Sequence, residues 1–229
     1  MDKWKLKINN LELKTLYENY LNHINAITTL YAVVAFTDQQ LNDKNSLQLS
    51  KVTIPLSTDF DDGFTTIKNE KDIFSCSISG KLHQINCYQT VISLVSNFEN
   101  LINSLIKMLS ITDSLRKDCS ASSYGNEIPN PTLKKLVAIH ELRNIESNMT
   151  GSHELQYFYK IILLRNNIIH RQGKLKKPDK KLEMWTNKNS NVIEFNQNNI
   201  DDFIHFFLLP MQSFISSIDC YLENEAYQI

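Results

Sequence analysis

Leu164-Arg165-Asn166-Asn167-Ile168-Ile169-His170-Arg171-Gln172-Gly173 is the stretch on which the reading of this chain turns. It closes a segment, about His153 to Gln172, in which Tyr157, Phe158, Ile161, Ile162, Leu164, Ile168 and Ile169 form one broad apolar arc at about 100° per residue. The spacing predicts a helix with a wide buried side. Gly173 stands where a helix-ending left-handed residue belongs, and Ser152 is the expected N-cap. Arg165 projects from the middle of the arc, where a guanidinium without a counter-charge is strongly disfavoured. It needs an acidic neighbour or an anionic ligand. Asn166 and His170, four apart, share a side next to the arc, and Arg165 lies about a quarter turn from Asn166. All three are expected to border one cleft, whereas Gln156, Lys160, Asn167 and Arg171 form a stripe expected to face solvent.

Outward from this segment, helical periodicity recurs. Leu13, Leu16, Tyr17, Tyr20, Leu21, Ile24, Ile27, Leu30, Tyr31 and Val34 predict a first helix from Leu11 to about Phe36. A second is expected at about Gln84 to Leu115, a third at Thr132 to Ile145 with Asn130 or Thr132 as cap, and a last at about Asn199 to Glu223, with Asp201 and Asp202 in its first turn. Residues 37–84 change character to Asp, Asn, Ser, Thr and Lys, with β-rich pieces at Leu47 to Leu56 and Ile73 to Ile78, and read as an insertion. Glu183 to Phe195 reads as a hairpin turning at Asn187-Lys188-Asn189-Ser190. No repeat or linker divides residues 1–229, so one all-α domain with a small β-containing insertion and a β-hairpin is expected.

Composition narrows the function classes. A formal net charge of −1 excludes a globally basic nucleic-acid binder, so any such contact must come from a local patch. Cys76, Cys87, Cys119 and Cys220 form no Cys-x-x-Cys pair, which argues for reduced thiols in a cytoplasmic protein. His83-x-x-x-Cys87, with Cys76 upstream, lacks a fourth ligand at a recognisable spacing, and His140-Glu141 lacks the second histidine of a zinc-protease helix. No metal or other cofactor is expected. The most apolar stretch, Phe203 to Ile215, is shorter than a membrane span and contains Pro210, and the N-terminal residues do not form a secretion signal. His23 and His205 read as packed or hydrogen-bonded histidines, and Phe203, Phe206, Phe207 and Phe214 as core or dimer interface.

Arginine, asparagine and histidine together suit a phosphodiester. A guanidinium donates two parallel N–H bonds to phosphate oxygens, and an imidazole can move a proton. RNA carries its own nucleophile, the 2′-hydroxyl, whose attack on the adjacent phosphate would leave a 2′,3′-cyclic phosphate and a 5′-hydroxyl without a metal. The reaction wants both an acid and a base, which makes a symmetric dimer with two His170 side chains attractive. The segment after the helix, from Arg171 to Lys181, carries six basic residues against one acidic residue. Arg171, Lys174, Lys176 and Lys177 are the candidate RNA contacts, with a solvated loop as the alternative. Arg165 has an alternative too, an ion pair with Glu99, Glu141 or Asp219. His170 also suits the negative end of the helix dipole.

Arg165-Asn166-x-x-x-His170 followed by Arg171-Gln172-Gly173 resembles the Arg-x(4–6)-His motif of the HEPN superfamily, with the polar residue directly after the arginine. The resemblance implies a helical bundle, often dimeric, acting as a metal-independent ribonuclease in toxin–antitoxin or antiviral defence settings. It also implies an antitoxin or defence-system protein as a partner, Arg165 and His170 as catalytic residues, and Asn166 as their polar helper. Residue identity is sharp only over about Leu163 to Gly173, and neither the insertion nor the hairpin matches the superfamily.

Overall fold

The computed structural model describes residues 6–42, 77, 79–112, 130–145 and 151–226. Among these the protein is mainly helical: α1 (Leu11–Asn42), α2 (Lys81–Met108), α3 (Pro131–Arg143), α4 (Ser152–Arg171) and α5 (Gln197–Ala226). The remaining regular structure is a 3-10 turn at Glu183–Trp185 and a two-stranded antiparallel pair, β1 (Thr186–Asn187) and β2 (Val192–Ile193). The all-α expectation holds at this level. The expected strands at Leu47 to Leu56 lie outside the described residues, as does most of the piece ending at Ile78. α1 runs on to Asn42 and α2 starts at Lys81, so helix takes both ends of the predicted insertion.

α2 is the central helix, packed against α1, α3, α4 and α5. Its sequence explains this, because Val91, Leu94, Val95, Phe98, Leu101, Ile102 and Leu105 are buried on more than one side. Two asparagines also enter the α1–α2 contact. Asn86 donates to the Tyr31 carbonyl at 3.0 Å and Asn97 to the Tyr20 carbonyl at 3.1 Å, so each buried amide is matched. An aromatic cluster joins α2, α4 and α5: Phe98 stacks on Phe158 at 4.7 Å, and Phe158 meets both Phe206 and Phe207. Phe203, Phe207 and Phe214 are buried, as a core role requires.

The helix ends obey local chemistry, with corrections. Asn130 caps α3, its Oδ1 accepting from the N–H groups of Thr132 and Leu133 at 2.9 and 3.1 Å. Asn196 and Asn199 exchange side-chain-to-backbone bonds at 3.0 Å and start α5 two residues earlier than expected, which moves Asp201 and Asp202 beyond its first turn. Gly151, not Ser152, is the α4 cap. The expected hairpin opens instead with the 3-10 turn at Glu183–Trp185, in which Trp185 is buried and packs on Tyr157 and Phe203, and the strand begins at Thr186. Asp219 sits at the start of α1, its carboxylate accepting from the N–H groups of Asn9 and Asn10 at 2.9 and 3.0 Å. α5 is long and apolar enough to cross a membrane by length and composition, with a mean hydropathy of 1.2, and 44% of that window is buried within the bundle.

Candidate functional site

Two left-handed residues stop α4 and set its exit. Gln172 has φ of 52° and Gly173 φ of 78°, and the Gly173 N–H donates to the Asn167 carbonyl at 3.2 Å. A Cβ on Gly173 would overlap the Tyr88 hydroxyl, so the residue is held to glycine by contact as well as by backbone angle. Tyr88 in turn donates to the Ile193 carbonyl at 2.6 Å. The exiting chain joins the hairpin through Leu175 N–H to Asn191 O at 2.8 Å and Ile193 N–H to Gly173 O at 2.9 Å. It then turns back between two anchors, Leu175 and Leu182, both buried. The lysine-rich loop strung between them therefore closes over one side of α4 instead of trailing into solvent.

The result is a groove of about 780 Å³. Its floor is one face of α4: Tyr159, Leu163, Asn166, Asn167 and His170. Its wall is Arg171, Leu175 and the segment Lys176 to Lys181. Arg171, Lys176, Lys177, Lys180 and Lys181 supply positive charge against one carboxylate, Asp179, whose Oδ1 accepts from the Lys181 backbone N–H at 2.9 Å. No ion pair holds these cations among the described residues. Arg171 donates to Asn167 Oδ1 at 3.3 Å, and Asn167 donates to the Leu163 carbonyl at 2.9 Å. Asn166 is half-buried and makes no side-chain hydrogen bond among the described residues, and His170 is exposed. The groove thus offers an amide and an imidazole beside a lysine wall, a setting suited to a phosphate backbone.

Arg165 is not in this groove. With about 100° per residue, the five-residue step to His170 turns about 140° around the helix. On its own side Arg165 forms an ion pair with Glu99 of α2, and Thr132 of α3 donates to the same carboxylate oxygen at 3.4 Å. The side chains of Arg165 and Glu99 are 19% and 24% exposed, so the pair is screened only in part. Of the three acids available to Arg165 by sequence, Glu99 is the partner, and Asp219 is occupied at α1. The expectation of one cleft bordered by Arg165, Asn166 and His170 is therefore corrected within a single chain: Asn166 and His170 share it, and Arg165 does not.

Other sequence expectations are redistributed. Asn167, expected on a solvent stripe, is half-buried and lines the groove, and Arg171, exposed as expected, lines it too. Lys176 and Lys177 line it as well, whereas Lys174 is exposed and bridges to Val192 through its backbone. Lys180, Lys181 and Tyr159 join the groove without having been expected there. The signal for them is the pair Leu175 and Leu182, whose apolar character marks the loop as anchored at both ends. Ile169, expected in the buried arc, is 47% exposed, and Ile168 takes the buried position.

Elsewhere, His83 Nε2 lies 3.2 Å from the Phe195 carbonyl and 3.5 Å from Cys87 Sγ, which ties the hairpin to α2. Burial pushes the Cys87 thiol up to about 12. Burial also raises Tyr157 to about 12, with the nearby Asp202 charge adding to the shift. Among the described residues, no group of three or more His, Cys, Asp and Glu is placed to hold a metal ion. His23 and His205, expected to be packed or hydrogen-bonded, are each exposed on the outer side of the helix and make no side-chain hydrogen bond among the described residues. Comparison of the chain with protein-family models, with curated proteins and with solved structures finds no match.

Proposed function

We propose that the protein binds RNA along the α4 groove and cleaves it without a metal, as an endoribonuclease of HEPN type. The observation that carries this reading is the convergence in one groove of His170, an uncommitted Asn166 and five cations that form no ion pair among the described residues. The lysine wall and Arg171 would hold and neutralise the phosphate backbone, and Asn166 would hydrogen-bond a phosphate or ribose oxygen. His170 would take the proton of the 2′-hydroxyl, whose oxygen then bonds to the adjacent phosphorus as the 5′-oxygen leaves. The products are a 2′,3′-cyclic phosphate and a 5′-hydroxyl. The leaving oxygen needs a proton, and a second copy of the chain in a homodimer would bring a second His170 to give it. A cytoplasmic toxin or antiviral role, with an antitoxin or defence-system partner, completes the proposal on the strength of the motif resemblance.

A second reading is favoured by the Arg165–Glu99 pair. With its guanidinium held by α2, the chain would be a non-catalytic RNA-binding or scaffold protein of the same architecture. The two separate when purified protein is incubated with end-labelled RNA in EDTA beside His170→Ala. Cleavage by the wild type to cyclic-phosphate ends, falling about 100-fold or more in the variant, supports the enzyme. RNA that is bound and left intact by both proteins supports the scaffold.

A further inference from the structure

The groove floor is chemically graded along α4. Tyr159, Leu163, Asn166 and His170 occupy positions i, i+4, i+7 and i+11, one helix face, with the aromatic ring and the imidazole at opposite ends about 16 Å apart along the axis at 1.5 Å per residue. Tyr159 is half-buried and packs against the hydrophobic core. Its ring is also covered by a charge: Lys181 Nζ lies 4.8 Å from the ring centroid, within cation–π range. The ring is therefore fixed by the core and capped by one flexible side chain belonging to the lysine wall. Phosphates account for the lysines and core packing for the buried part of the ring, but neither accounts for an aromatic ring that also lines the groove at the far end of the same face.

We infer that Tyr159 is a base-stacking platform, so that the ligand of this groove is single-stranded RNA with an unpaired base laid on the ring in place of, or beneath, Lys181. This rests on the RNA reading of the groove and adds a substrate class to it. In a duplex the base faces are hidden in the stack, and only an unpaired base can present its π-face to a side chain. A strand lying along α4 would then place one base at Tyr159 and a phosphate a few nucleotides away at His170. Tyr159 touches the ligand but not the reacting atoms, and its role is affinity and strand selection.

The test uses the full chain and two probes of matched charge: a fluorescent 2′-O-methyl oligoribonucleotide, which cannot be cleaved, and inorganic polyphosphate. Binding is measured for wild type, Tyr159→Leu and Tyr159→Phe, with circular dichroism to confirm the fold. Tyr159→Leu is expected to weaken the single strand about tenfold while leaving polyphosphate unchanged, and Tyr159→Phe to retain both affinities. Annealing the oligonucleotide into a duplex should remove the difference between wild type and Tyr159→Leu. Equal affinity of wild type and Tyr159→Leu for the single strand, or an equal loss for both probes, overturns the platform and leaves the RNA groove standing. Failure of the wild type to bind either probe overturns the groove reading itself.

Discussion

The two sides of α4 differ in what their polar groups have found. On one side the charge of Arg165 is met by Glu99, with Thr132 on the same carboxylate, so three helices are tied together, while the buried Arg165 Nε has no hydrogen-bond partner among the described residues. On the other side Asn166, His170 and the lysine wall have, among the described groove residues, no counter-charge beyond Asp179. A matched charge is spent on structure, whereas an array of unmatched like charges stores potential that a polyanion relieves. The contrast teaches that arginine and histidine five residues apart need not serve one chemical site within one chain, because the helix turns them away from each other.

The two sides of α4 should part most widely in activity. His170→Ala should lower RNA cleavage about 100-fold or more with little change in thermal stability, since an exposed side chain at the helix end carries little packing. Arg165→Ala should do the reverse on stability, lowering it by about 1.5–3 kcal/mol, the range for a hydrogen bond to a charged group, read by urea denaturation. Glu99→Gln should destabilise in the same direction by a smaller amount. If Arg165→Ala leaves stability unchanged yet removes cleavage, the guanidinium acts on RNA and the division between the two sides fails.

The lysine wall should contribute less than His170. Lys180→Ala combined with Lys181→Ala should weaken RNA binding and flatten its dependence on salt. The slope of log affinity against log salt should fall by about 0.7 for each phosphate of a single strand that these lysines neutralise in the wild type. An unchanged slope would return these lysines to an ordinary solvated loop.

How much of this was legible differs between the two sides as well. The helices followed from 3.6-residue periodicity, and α4 in particular followed from its apolar arc and Gly173. Glu99 could be named as an acid available to Arg165, but periodicity within one helix does not fix which neighbour faces it. Selecting Glu99 over Glu141 and Asp219 required the packing of α2 and α3 against α4. The groove was less legible still, because its wall is a loop whose direction depends on pairing with the hairpin and on the burial of Leu175 and Leu182. Periodicity assigned Asn167 and Arg171 to solvent, and Arg171 is exposed whereas Asn167 is half-buried. The returning chain changed their surroundings.

Mapping where RNA touches the protein tests the central claim most directly. Wild-type protein bound to single-stranded RNA carrying 4-thiouridine would be photo-crosslinked, digested and sequenced by mass spectrometry. Crosslinks concentrated on Tyr159 and on the segment from Lys176 to Lys181, and absent from the Glu99 side of α4, are the predicted result. Crosslinks that avoid this groove and fall instead around the separate recess lined by Arg143, Ser216 and Tyr221 would contradict it.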